Sequence, residues 1–159
     1  MDTLEKHSKY LAVNTQLNSF NMGYHTISKY TKADYVCVHE GELRHDYRNR
    51  HDTFKHLTKQ LANRIKSQVI TITRGNAGST IYKDGKFLES PAFAGKVVDR
   101  VGAGDTLLAI TALCFAAGIP EDLSLFYGNL SAAQTVASTG TGNKLNKVNL
   151  TKAIQALMK

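Results

Sequence analysis

Asp99-Arg100-Val101-Gly102-Ala103-Gly104-Asp105, with the run Thr106 to Ala117 (TLLAITALCFAA) behind it, is the stretch around which the chain is organised. The run holds no charge, glycine or proline and stops at Gly118, with Pro120 just beyond. That pattern predicts a helix, apolar enough on every side to be buried. In front of it, Lys96-Val97-Val98 reads as the end of an extended segment. A Gly-Ala-Gly turn opening a helix lets backbone N–H groups converge where the helix dipole is positive, which is a site for an anion, usually phosphate. Asp105, in the first turn, either complements the dipole or carries chemistry. Two acids flanking Gly-Ala-Gly ahead of an uncharged helix favour chemistry.

Outward from this stretch, the chain alternates strands and helices. Lys9 to Asn14 reads as a first strand, ending in the polar stretch Asn14 to Ser19. Such a stretch is either a plain turn or the polar edge of a site, because open α/β sheets bind ligands past the carboxyl ends of their strands. Asn21 to Tyr30 is expected to be a short helix with Ile27 and Tyr30 on one face. A second strand, Tyr35 to Val38, leads through His39-Glu40-Gly41-Glu42 into a charged helical pattern that runs to Lys66. Leu57, Leu61 and Ile65 recur at four-residue spacing and mark its buried side. The β-branched segment Gln68 to Thr73 is a third strand. It is followed by the turn Arg74-Gly75-Asn76-Ala77-Gly78 and a hairpin about Lys83-Asp84-Gly85. Strand, helix, strand, helix, strand is the mark of parallel βαβ units, here with an antiparallel hairpin appended. Beyond the central helix, Pro120 suits the first position of another helix, expected to reach about Ala137, and Asn149 is placed to cap the last.

The 159 residues suit one domain, 1–159, with a single sizeable core. No apolar run approaches a membrane span, and the amino terminus lacks a signal-peptide core, so no membrane partner is expected. Cys37 and Cys114 lie in apolar segments and read as reduced core thiols of a cytoplasmic protein. The net charge of +7 is spread evenly, with 11 basic and 7 acidic groups in residues 1–66 and 9 and 6 beyond. Without a basic block or aromatic-studded basic strand it argues against nucleic acid and suits phosphorylated substrates. The six histidines all fall between His7 and His56. They lack His-Glu-x-x-His spacing, so zinc is not expected.

Asp99 to Thr106 resembles the second signature of the ribokinase-like (PfkB) carbohydrate kinases, usually Asp-Thr-x-Gly-Ala-Gly-Asp. Arg100 takes the usual Thr or Ser place, a departure compatible with the sugar-phosphate branch of the family. The nearest likeness is to heptose-phosphate kinases fused to nucleotidyltransferases. The resemblance implies a ribokinase-like Rossmann-type three-layer α/β sandwich, a mostly parallel sheet with an antiparallel hairpin. It implies ATP and Mg²⁺, with a sugar or sugar phosphate as acceptor. Gly102, Ala103 and Gly104 would form the anion hole and Asp105 would be the catalytic base.

Further motifs carry over by the same resemblance. Thr73-Arg74-Gly75-Asn76-Ala77-Gly78 matches the family's Thr-x-Gly-x-x-Gly segment, which makes Thr73, Gly75 and Gly78 nucleotide-binding. His39-Glu40-Gly41-Glu42 stands where the family carries Asn-x-x-Glu, and Glu42 is either a Mg²⁺-side carboxylate or an ordinary helix-start acid. His39 in place of Asn leaves the metal arrangement open. Gly128-Asn129-Leu130-Ser131-Ala132-Ala133 is similar to the family's helix beside the adenine, with Asn129 either a nucleotide contact or part of a small-residue packing surface. Ser138 to Gly142 would lie near the base or a monovalent cation, which Asp99 and the Val101 carbonyl would help to hold. The resemblance spans the carboxyl-terminal half of a typical member. The amino-terminal half, with its Gly-Gly sugar region and lid, is expected to be missing, so acceptor contacts come from another segment or chain or are absent, and the partners implied are that missing half, a fused nucleotidyltransferase or a second copy. The other reading is a non-catalytic nucleotide-binding or regulatory module attached to a nucleotidyltransferase.

Overall fold

The computed structural model describes residues 2–17, 20, 23–95, 97–99, 101–137 and 145–157. The chain divides into two compact units, Met1–Arg74 with Ser79–Glu89, and Gly75–Gly78 with Ser90–Lys159. Among the described residues there are six α-helices and five strands.

The first unit is built on a sheet of strand order β1-β2-β3-β4-β5. The strands are β1 (Ala12–Val13), β2 (Tyr35–His39), β3 (Val69–Thr73), β4 (Ser79–Lys83) and β5 (Lys86–Ser90). β1 and β2 pair in parallel, as do β2 and β3, with His39 opposite Thr73 at the carboxyl ends. β3 and β4 are antiparallel. The hairpin to β5 turns on Asp84 and Gly85, whose φ values of 49° and 80° suit the right-handed twist of its arms. Tyr35 to Val38 are all buried, the unbroken apolar pattern of a parallel strand.

α1 (Asp2–His7) precedes the sheet, and α2 (Glu40–Asp46) and α3 (Phe54–Ile65) join β2 to β3. Leu57, Leu61 and Ile65 of α3 pack with Leu43 of α2 and with Val36, Val38, Ile70 and Ile72 of the sheet. The single helical pattern expected to Lys66 is in fact two helices. Asn49 causes the break. Its Oδ1 accepts from the amides of His51 and Asp52, both at 3.0 Å, offering the backbone a turn in place of a helix. Thr53 then caps α3 by accepting from the His56 amide. Of the helix expected over 21–30, one short 3-10 turn, Ile27–Lys29, stands among the described residues. Asn21 and Met22 lie outside them, and Gly23 takes φ 87°. Ile27 is buried and Tyr30 packs against the same core.

The second unit holds α4 (Ala103–Ala116), α5 (Glu121–Val136) and α6 (Lys147–Leu157). α4 is not buried on every side as the sequence suggested. Leu107, Thr111 and Cys114 form one buried stripe, whereas Leu113 is 69% exposed. Absence of charge permits burial but does not select which face is covered. Pro120 is the cap before α5 rather than its first residue. Asn146, not Asn149, caps α6, accepting from the amides of Val148 and Asn149 at 2.9 and 3.2 Å. α4 and α5 approach closely at Gly128, where a β-carbon would stand 2.5 Å from Thr111 Cγ2 and 3.4 Å from Leu107 Cγ. Among the described residues no helix is long and apolar enough to cross a membrane.

Candidate functional site

In the second unit the glycine turn has the form an anion site needs. Asp99 begins it. Its Oδ1 accepts from the Val101 amide at 3.0 Å, while the amides of Val98 and Asp99 donate to the Val136 carbonyl at 2.7 and 3.2 Å. Gly102 takes φ 81°, the left-handed region that favours glycine, and its carbonyl accepts from Thr106 N at 2.9 Å to start α4. No side chain caps this helix. The first-turn amides of Ala103, Gly104 and Asp105 have no intrahelical acceptor and point out of the helix start. Gly104 is helical and exposed, and a β-carbon there would meet nothing within 4 Å. A helical glycine that no neighbour requires leaves room for a group to approach the backbone. Asp105, the third residue of α4, is exposed. Thr106 Oγ1 lies 3.0 Å from Thr135 Oγ1 and ties the start of α4 to the end of α5.

Asn129 is 6% exposed, on the part of α5 that includes buried Gly128, Leu130 and Ser131. Ser138 to Gly142 lie outside the described residues. Gly75 and Gly78 have φ values of 57° and 83° in a 3-10 turn closed by Gly78 N donating to the Gly75 carbonyl at 3.0 Å. The two glycines differ in what they are for. A β-carbon on Gly78 would run into the Ser90 carbonyl oxygen and come within 2.8 Å of the Pro91 carbonyl carbon, so packing alone demands glycine. Around Gly75 there is open space.

In the first unit the carboxyl ends of β2 and β3 bring Glu42 and Thr73 to one edge of the sheet, through the pairing of His39 with Thr73. Glu42 Oε2 accepts from the His39 amide at 2.7 Å, and Oε1 accepts from the Leu17 amide at 3.1 Å. His39 Nδ1 in turn accepts from the Gly41 amide at 3.0 Å. The pair is a capping box in which the imidazole supplies the acceptor an Asn would supply. The departure at His39 therefore preserves the helix start. Each Glu42 oxygen keeps a second lone pair, enough to orient a metal-bound water. Among the described residues, no group of three or more His, Cys, Asp or Glu could hold a metal.

Two neighbouring side chains had not been singled out from the sequence. Glu40 sits between Arg44, at 2.8 Å, and Arg74, at 3.1 Å. Burial pushes the Glu40 carboxyl up, but the hydrogen bonds and charges of both arginines outweigh it and hold the group below the usual carboxylate range. The sequence signal was available: Arg74 is a cation placed directly past the end of a strand, between Thr73 and Gly75.

The pattern that describes pfkB family carbohydrate kinases matches residues 1–148. The chain belongs to that family. This pfkB-family chain is 36% identical over 84 residues to the bifunctional protein HldE of Alcanivorax borkumensis, covering 52% of the chain but 18% of that protein. Phosphofructokinase-2 of Escherichia coli, solved in complex with potassium, superposes on 99% of the chain with a TM-score of 0.78 at 15% identity. A ribokinase II from the same organism, solved with ATP and Mg²⁺, superposes on 78% with a TM-score of 0.68 at 22% identity. The chain covers 50% and 40% of those two kinases. The fold is thus the ribokinase-like α/β fold that the sequence suggested, and its sheet is mixed.

Proposed function

We propose that this chain is the nucleotide-binding and catalytic-base half of a carbohydrate kinase, moving the γ-phosphoryl group of ATP to a hydroxyl of a sugar or sugar phosphate. One observation carries the reading: an uncapped helix start at Gly102 to Gly104, with a glycine at 104 that packing does not require, in a pfkB-family chain. Asp105 takes the hydroxyl proton as the oxygen attacks phosphorus. The first-turn amides receive the charge that develops on the transferring group. By the family resemblance, Gly75 would serve the nucleotide phosphates and Asn129 the adenine in the second unit, while in the first Thr73 would serve the nucleotide and Glu42 would help hold Mg²⁺ through water. Bound Mg²⁺ would supply neutralisation of the phosphate charge. The ATP, Mg²⁺ and potassium named for the two E. coli kinases support these ligands. Asp99, with one oxygen committed to Val101, and the Val101 carbonyl are the groups for a monovalent cation.

The name bifunctional on a relative of which this chain spans 18% favours a second reading, a nucleotide-binding module of a longer protein with another activity. Calorimetry with Mg-ATP, followed by phosphate transfer across sugars and sugar phosphates, tests both. Binding is expected of this chain, and transfer where the acceptor contacts are also supplied. Binding without transfer, in this chain and in one extended by its upstream reading frame, selects the module. No binding overturns both.

A further inference from the structure

We propose that Arg74 is a phosphate-binding residue, its guanidinium held by Glu40 and Phe54 past the carboxyl ends of β2 and β3 to receive the phosphoryl oxygens of a nucleotide or a sugar phosphate. The inference rests on the reading that this chain handles phosphorylated ligands. Position is the first argument. Glu40 follows His39 and Arg74 follows Thr73, the last residues of two adjacent parallel strands that face each other in register. That is the ligand-binding end of an open α/β sheet.

Charge is the second. Glu40 Oε1 accepts from Arg44 Nε at 2.9 Å, and Oε2 accepts from Arg74 Nε at 3.1 Å. Two guanidiniums share one carboxylate, which leaves one positive charge over. Arg44 is committed elsewhere, since its Nη1 donates to the carbonyls of Arg50 and Asp52 at 3.3 and 2.9 Å. Arg74 uses its Nε alone, and both terminal nitrogens have no acceptor among the described residues. The carboxylate of Glu89 on β5 is bonded to Lys55 at 2.7 Å and feels the Arg74 charge only as a weaker influence, with no hydrogen bond between them.

Preorganisation is the third. The Arg74 guanidinium stacks on the Phe54 ring at 4.3 Å, and its side chain is 27% exposed. One face is covered by the ring, one edge is taken by Glu40, and the terminal nitrogens make no hydrogen bond among the described residues. An ion pair serving only to tie β3 to α2 has no need of an open fork, because Arg44 already satisfies Glu40 within α2. A planar fork with two unused nitrogens is the form that grips phosphate in two places.

Calorimetric titration of the whole chain with Mg-ATP, ADP, tripolyphosphate, adenosine, glucose and glucose 6-phosphate tests this. Arg74→Gln is expected to weaken the phosphorylated nucleotides and tripolyphosphate about tenfold or more, the worth of a charge-assisted hydrogen bond, and to leave adenosine unchanged. Loss confined to glucose 6-phosphate assigns the same residue to the acceptor's phosphate. Arg74→Lys keeps the charge and the link to Glu40 but not the fork. It is expected to lose part of the affinity with an unchanged melting temperature, and it carries the test if the Gln variant unfolds. Affinities for every phosphorylated probe equal to wild type in a folded variant overturn the inference and leave the kinase reading standing. Tripolyphosphate binding that depends on Arg74, with no gain from the nucleoside, sustains the inference and overturns the nucleotide reading. No phosphorylated probe binding to the wild type overturns both.

Discussion

His39 and Glu42 close a reciprocal cap at the start of α2: the carboxylate takes the His39 amide at 2.7 Å while the imidazole Nδ1 takes the Gly41 amide at 3.0 Å. An Asn at position 39 would supply the same kind of capping acceptor. His39→Asn is therefore expected to melt near wild type, whereas His39→Ala should cost about 0.5–2 kcal/mol in urea unfolding. Glu42→Gln separates capping from metal orientation. Stability should change little, and the Mg²⁺ dependence of nucleotide binding should weaken. An unaltered Mg²⁺ dependence would make Glu42 a cap and nothing more.

Glu40 supplies a pH prediction. Its carboxyl is held low by the two arginines against the effect of burial, so its contribution to stability is present above the unfolded carboxylate pKa and is lost as pH falls through the depressed folded value. NMR titration of the Glu40 side chain should find a midpoint below that of an exposed glutamate. In Arg74→Gln the midpoint should move up, since one of the two opposing cations is gone. A midpoint indifferent to that substitution would show that Arg74 does not engage Glu40 in solution.

The strands (though β1 is only Ala12–Val13, not the expected Lys9 to Asn14), the burial stripe of α3 and the glycine turn were legible in the sequence, because each is written in local pattern: β-branched runs, four-residue spacing, glycines before an apolar helix. What was not legible came from side chains that compete with or link those patterns. Asn49 breaks a helical pattern by bonding its own backbone, and Asn146 captures the α6 cap from Asn149. The Glu40–Arg74 pair spans 34 positions and depends on strand register, which no single segment encodes. Gly78 reads like Gly75 in sequence, and only the path of residues 90–92 reveals that it is required by packing.

Gly128 gives the sharpest packing test. Gly128→Ala should lose about 1–3 kcal/mol, because its β-carbon would press on Thr111 Cγ2. Thr111→Ser removes that methyl and keeps the hydroxyl that donates to the Leu107 carbonyl at 2.7 Å. The double variant should recover much of the loss, measured as a coupling energy in a thermodynamic cycle. Additive losses would contradict the close approach of α4 and α5.

Gly104 separates fold from function. Since nothing lies near its missing β-carbon, Gly104→Ala should stabilise α4 by about 0.5–1 kcal/mol. On the proposed anion site the same methyl would stand in the way of a phosphate oxygen approaching the amides, so Mg-ATP affinity should fall. Thermal melting and calorimetry on one variant read both quantities. A gain in stability with unchanged affinity would remove Gly104 from the anion site.

The central claim is that Asp105 acts as a base and not merely as an acid complementing a helix dipole. The direct measurement is single-turnover phosphate transfer by Asp105→Asn beside Mg-ATP affinity and melting temperature, in a form of the protein shown to transfer phosphate. Transfer should slow by roughly 10²–10⁴-fold, with nucleotide affinity nearly unchanged because the base serves the acceptor hydroxyl. Wild-type transfer rates in that variant, with a lowered melting temperature as the sole effect, would contradict the catalytic assignment.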